Sequence, residues 1–188
     1  AILLLTLRGT PTIYYGDEIG MRDVPIPVEE IQDPRGLNMP DKNLTRDPAR
    51  TPMQWDDSFN AGFTEGTPWL RIDRHYSTVN VQAQKEDPNS MLSLYQRLIR
   101  LRQSEPAFTI GKFIPEYGDH QILSYKRQDG DQPGFLVVLN LSHRTCYFRA
   151  RSEDFKGVIE LSTSPELEGS PVSGTISLSG DEGMIIRL

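Results

Sequence analysis

The stretch Ala1–Gly16, AILLLTLRGTPTIYYG, sets the fold class. AILLLTL is apolar on every side, as expected of an element buried against several neighbours. Gly9-Thr10-Pro11 then breaks it. Thr12–Tyr15 (TIYY) is β-branched and aromatic, as strands prefer. It is short and does not alternate, which suits a strand covered on both faces of a parallel sheet. Gly16 then lets the backbone turn. Helix, tight turn, parallel strand and loop make half of an α/β repeat. The run opens without a methionine, a charged leader or a helix cap. We therefore expect the chain to be the C-terminal piece of a longer polypeptide, with a processed terminus at Ala1 as the alternative.

Downstream of this opening the texture changes twice. From Asp17 to about Pro88 no long amphipathic pattern occurs, and Pro, Gly, Asn and Asp are frequent. A loop of this length is either functional or disordered. Disorder would come with few aromatic residues, yet Trp55, Phe59, Phe63, Trp69 and Tyr76 all fall here. An ordered, functional loop is the expectation. Asp87-Pro88 then reads as a helix cap with proline at the first helical position. Met91, Leu94, Tyr95, Leu98 and Leu101 follow on one face at helical spacing. The helix should stop before Pro106. Its apolar stripe reads as core packing.

Past Phe108 short β-rich runs alternate with turn clusters. They are Gln121–Arg127, Gly134–Asn140, Thr145–Arg149, Val158–Leu161, Thr175–Leu178 and Met184–Leu188. Such spacing predicts a small antiparallel sandwich. The fold class is thus α/β followed by all-β, with a boundary near Thr109, giving domains over 1–108 and 109–188.

Composition narrows the partners. The 188 residues are 37% apolar, enough for one sizeable core or two small ones. The net charge of −6, with no basic stripe, argues against nucleic acid. No apolar run reaches the roughly 20 residues that cross a bilayer, so no membrane partner is expected. Cys146 is the single cysteine, which excludes an intrachain disulfide and predicts a reducing, cytoplasmic setting.

The densest chemistry lies in Arg46–Trp55, RDPARTPMQW. Two guanidiniums, a carboxylate, two prolines and an indole without regular period describe a stiff loop suited to a polar, ring-shaped ligand. Arg50 brings a rigid donor fork matched to carboxylates or neighbouring hydroxyls. The residues alone leave open whether Arg50 grips a ligand or pins the loop in an ion pair. They leave equally open whether Trp55 and Trp69 form a sugar platform or pack the loop. Asp17 and Glu18 sit where α/β active sites gather. A glycosidase needs carboxyls about 5 Å or more apart across one bond, and adjacent residues in extended chain point to opposite faces. A loop-fixing or capping role is therefore expected. His75, His120 and His143 lack metal-ligand spacing, so no metal site is expected. GxSxG and the phosphate-cradling glycine motifs are absent, and no cofactor is expected.

Five segments carry a resemblance: LTLRGTPTIYYGDEIGM (Leu5–Met21), RDPARTPMQWD (Arg46–Asp56), NAGFTEGTPWL (Asn60–Leu70), VNVQAQ (Val79–Gln84) and SMLSLYQRLIRLRQSEPAF (Ser90–Phe108). Together they resemble the C-terminal third of α-glucosidases in the α-amylase superfamily, the oligo-1,6-glucosidase and maltase branch above all. The resemblance implies a (β/α)8 barrel whose seventh helix ends near Leu7, with Thr12–Tyr15 as strand eight and Ser90–Gln103 as helix eight. An antiparallel β domain would follow. It implies a retaining glycoside hydrolase that releases glucose from the non-reducing end of short α-glucosides, its partner being an α-linked glucose oligosaccharide. The family's catalytic Asp, Glu and second Asp would precede Ala1, so no catalytic residue is assigned here and the piece alone should be inactive. Arg50 matches the arginine that reaches the terminal glucose in the −1 subsite, and is the one substrate-binding residue carried over. Arg46 and Asp47 should brace the loop. Alternatives are a transglycosylating relative (trehalose synthase or sucrose isomerase), a non-catalytic transporter heavy chain of the same fold, or a free carbohydrate-binding β domain.

Overall fold

The structure is a computed structural model describing residues 1–39, 42, 44–152 and 154–188. Among these the chain forms five α-helices: α1 (Ile2–Thr6), α2 (Pro34–Asn38), α3 (Val81–Lys85), α4 (Met91–Ser104) and α5 (Pro106–Thr109). Eight strands follow: β1 (Lys112–Gly118), β2 (Ile122–Gln128), β3 (Phe135–Asn140), β4 (Cys146–Arg149), β5 (Lys156–Ser162), β6 (Pro171–Ser173), β7 (Thr175–Leu178) and β8 (Gly183–Arg187). They pack as two compact units, one of Ala1–Thr12 with Leu94–Leu188, the other of Ile13–Ser93.

In the first unit a six-stranded antiparallel sheet runs β1-β2-β3-β8-β5-β6, and β4 and β7 form a separate pair. The sheet is covered on both faces. Phe135, Val137 and Leu139 of β3 face Leu94, Tyr95, Leu98 and Leu101 of α4, Phe108 of α5, and Ile2 and Leu5 of α1. Leu136 and Val138 face Cys146, Phe148, Ile176 and Leu178 of the β4–β7 pair. Two covered faces explain why FLVVLN is apolar at five successive positions rather than alternating. On β5, Ile159 faces the β4–β7 pair and Leu161 faces the helices, although residues two apart normally share a face. A bulge resolves this: Ile159 and Leu161 pair with the consecutive residues Ile186 and Ile185, and Glu160 is the extra residue.

Helix α1 ends with carbonyls that no further turn satisfies. Two arginines take them. Arg127 Nη1 donates to Thr6 O at 2.5 Å, and Arg102 donates to Leu5 O at 2.8 Å and Gly9 O at 2.5 Å. Positive charge there also complements the helix dipole. The Tyr125 hydroxyl meets Thr6 Oγ1 at 2.5 Å, and Thr6 Oγ1 donates onward to Ile2 O at 2.7 Å.

Several expectations change. No strand forms over Thr12–Tyr15, because none of the parallel strands that would pair with it lies in this chain. The compact units do not divide at Thr109: α4 and α5 share a core with the β sheet. Helix α4 starts at Met91, later than Asp87-Pro88 implies. Ser90 Oγ accepts from Ser93 N at 3.2 Å, while Asp87 closes a turn by accepting from Asn89 N at 2.8 Å. Strands β1 and β6 were outside the expected set. Both are edge strands that contain proline, Pro115 at a register break and Pro171 at a strand start. Those are the positions a sheet tolerates, and proline hides such strands from a sequence reading.

Candidate functional site

The second unit, Ile13–Ser93, is held by hydrogen bonds and turns more than by apolar clusters. The charged groups Asp33 and Asp47 are each only 2% exposed. Asp33 sits before Pro34 and accepts from Arg35 N at 3.3 Å, capping α2. It also takes the Arg46 fork, with Nε at 2.9 Å and Nη2 at 2.6 Å, and Arg46 N at 2.8 Å. The Arg46 guanidinium holds the Asp33 carboxyl well below the usual carboxylate range. Asp47 accepts from Gln32 N at 2.7 Å and Asp33 N at 2.9 Å. Arg46 and Asp47 thus brace the loop. Their partner Asp33 escaped the sequence reading, although Asp-Pro ahead of a helix is a capping signal.

Arg50 follows directly on this brace. Asp47–Ala49 form one 3-10 turn, and Arg50 N closes it on Asp47 O at 2.8 Å. The next residues, Thr51 to Gln54, are buried. Val81 N donates to Gln54 O and Gln82 N to Trp55 O, both at 3.0 Å, and Gln54 Nε2 donates to Val79 O. The backbone is therefore fixed on both sides of Arg50. Its guanidinium makes no hydrogen bond or ion pair with any described residue. It lines a hollow of about 500 Å³ with Tyr14, Tyr15, Trp55, Phe63 and Trp69.

Those aromatic residues are exposed rather than packed away: Trp55 is 49% and Trp69 57% accessible. A left-handed turn at Asn60, Ala61 and Gly62 (φ 55°, 56° and 66°) sets the Trp55–Phe63 wall. Ala61 O receives Trp55 N at 2.9 Å, and Asn60 Nδ2 ties the turn to Thr64 O at 3.0 Å and Gly66 O at 2.7 Å. A buried alanine in the left-handed region costs about 1 kcal/mol, and such strain gathers at functional sites.

Asp17 and Glu18 are spent on backbone. Asp17 accepts from Tyr14 N at 3.0 Å and Glu18 from Gly16 N at 2.8 Å, shaping the turn that carries Tyr14 and Tyr15. Gly16 has φ 90°, and a Cβ there would lie 2.7 Å from the Met21 sulfur. Burial pushes the Tyr15 phenol up, the neighbouring Tyr14 adds to the rise, and the Arg50 charge opposes it. A second hollow of about 430 Å³ lies among Arg22, Arg71, Arg74 and His75. There Arg71 pairs with Glu30 and His75 Nδ1 lies 2.9 Å from Asp73 Oδ1, so both of these side chains already have a partner. Among the described residues no group of three or more His, Cys, Asp or Glu is arranged to hold a metal ion.

The arrangement suits a polyhydroxylated ring: flat apolar faces for its C–H surface and a free donor fork for its hydroxyls. Comparison with known proteins shows the family. The alpha-amylase catalytic domain matches residues 1–111. The oligo-1,6-glucosidase of Heyndrickxia coagulans is 40% identical over 174 residues, covering 83% of this chain and 31% of that protein. The amino acid transporter heavy chain SLC3A1 of Rattus norvegicus is also 40% identical, over 99% of this chain and 27% of that protein. The crystal structure of the trehalulose synthase MutB from Pseudomonas mesoacidophila MX-45 superposes with a TM-score of 0.89 at 28% identity, over 99% of this chain and 37% of that one. The chain spans about a third of the length of these relatives. Its architecture is that of the C-terminal part of a (β/α)8 barrel followed by an antiparallel β domain, and it belongs to the α-amylase family.

Proposed function

We infer that the polypeptide carrying this chain is a retaining α-glucosidase that releases glucose from the non-reducing end of short α-glucosides, and that Arg50 grips the terminal sugar. One observation carries this reading: a guanidinium without a partner among the described residues, on backbone fixed from both sides, at the wall of an aromatic hollow. A donor fork already held in place loses little freedom when it binds hydroxyls. The sequence relatives named as glucosidases support the substrate class. In this reading α1 is the end of barrel helix seven, the Thr12–Tyr15 segment becomes strand eight beside its neighbours, and α4 is helix eight. The catalytic carboxylates belong to the preceding part of the barrel, and this chain alone does not turn over a chromogenic α-glucoside. The single cysteine supports a cytoplasmic location.

The test is Arg50→Ala in the full-length protein. Loss of a charge-assisted hydrogen bond costs about 1.5–3 kcal/mol, so kcat/KM on a maltose-like substrate should fall at least about tenfold. An unchanged value in a folded variant overturns the assignment.

Two other readings each have a specific observation behind them. The transporter heavy chain aligns over nearly the whole chain, β domain included, whereas the H. coagulans glucosidase covers 83% of it. The trehalulose synthase neighbour favours transglycosylation. Product analysis of the full-length protein separates the three: free glucose, a rearranged disaccharide, or no turnover.

A further inference from the structure

The Arg50 segment has one more anchor. Besides its bonds to the 79–82 stretch, it is tied to the turn after the first buried segment. The Tyr15 hydroxyl donates to Thr51 O at 2.9 Å, across 36 residues of chain. Thr51 is buried, its carbonyl is one peptide removed from Arg50, and Tyr15 lines the same hollow as the Arg50 side chain. The Tyr15 ring is itself held, packed at a tilt of 43° against Tyr14 with 4.8 Å between centroids. Its backbone is held by the Asp17 and Glu18 carboxylates. A chain of contacts therefore runs from the acidic pair through Tyr15 to the Thr51 carbonyl, one peptide beyond Arg50. None of these bonds touches the Arg50 guanidinium, which has no hydrogen bond or ion pair with any described residue.

We propose that Tyr15 is a positioning residue, whose hydroxyl fixes the Thr51 peptide so that the Arg50 guanidinium is presented to the sugar. This rests on the reading of Arg50 as the sugar-gripping residue. A ligand-gripping side chain loses effect when its backbone drifts by about 1 Å. One hydrogen bond to a neutral carbonyl contributes about 0.5–1.5 kcal/mol, which corresponds to roughly 2- to 10-fold in kcat/KM. Because Tyr15 is partly exposed, removing its hydroxyl should leave the fold intact.

The experiment uses the full-length protein with maltose as substrate and four forms: unaltered, Tyr15→Phe, Arg50→Ala and the double variant. Tyr15→Phe alone should lower kcat/KM by roughly 2- to 10-fold, mostly through KM, in a variant that remains folded. In the Arg50→Ala background the same change should cost less than about 2-fold, since there is no guanidinium left to position. Equal losses in both backgrounds would mean that Tyr15 acts on substrate or fold by another route, and would overturn the proposal. So would an unaffected Tyr15→Phe enzyme whose Arg50→Ala counterpart is impaired. An unimpaired Arg50→Ala enzyme instead overturns the reading of Arg50 itself.

Discussion

The contact between Thr6 and Tyr125 gives a sharp test of how α1 is fastened to the β sheet. Both residues are almost wholly buried, at 2% and 0% exposure. Thr6 Oγ1 uses its proton on Ile2 O, so the short bond of 2.5 Å to Tyr125 must be donated by the phenol. Three variants then differ in what they strand. Tyr125→Phe leaves an oxygen short of one donor while its own bond to Ile2 O survives, at a cost of about 1 kcal/mol. Thr6→Val removes the acceptor and leaves a phenolic O–H buried away from water, a penalty of about 1–3 kcal/mol. The double variant strands neither group and should be more stable than Thr6→Val alone, because matched apolar replacement of both partners is nearly neutral. The measurement is the urea midpoint of the chain and its variants with the slope m held constant. Equal losses for the two single variants, or a double variant at the sum of both, would refute the assignment of donor and acceptor.

Two further outcomes follow from the same packing. Leu98 is 1% exposed in the core between α4 and the sheet, and Leu98→Ala should destabilise by about 2–5 kcal/mol through lost burial and the cavity left behind, read as a lower urea midpoint. His143 Nδ1 lies 2.8 Å from Asp181 Oδ2, and that bond raises the His143 pKa. A raised folded pKa means that the stabilisation is complete below the unfolded value of about 6.5 and is lost as pH rises through the folded value. The stability difference between the unaltered chain and Asp181→Asn should therefore be present below about pH 6.5 and shrink as pH rises above it, and a difference independent of pH would contradict it.

Local chemistry in the sequence determined a good deal about this protein. Leu94, Leu98 and Leu101 announce α4 by their spacing, and the turn clusters after Phe108 announce an antiparallel β domain. The irregular, proline-stiffened RDPARTPMQW marks the loop that carries Arg50. These features are legible because periodicity, proline and turn residues act within a few positions of themselves. What remained hidden depends on partners far along the chain. Arg127 lies near the end of β2, yet it is fully buried, because the carbonyl end of α1 lies 121 residues away and needs its donors. Asp33 carries no local mark of its role as an anchor, yet it holds Arg46 across 13 positions. The bulge at Glu160 is decided by the need of Ile159 and Leu161 to face different cores. Whether Trp55 and Trp69 would pack inward or face a hollow, and whether Arg50 would be paired or free, also waited on the assembled loop. A side chain's environment is a sum over groups that the chain brings together only by folding, and no local pattern encodes that sum.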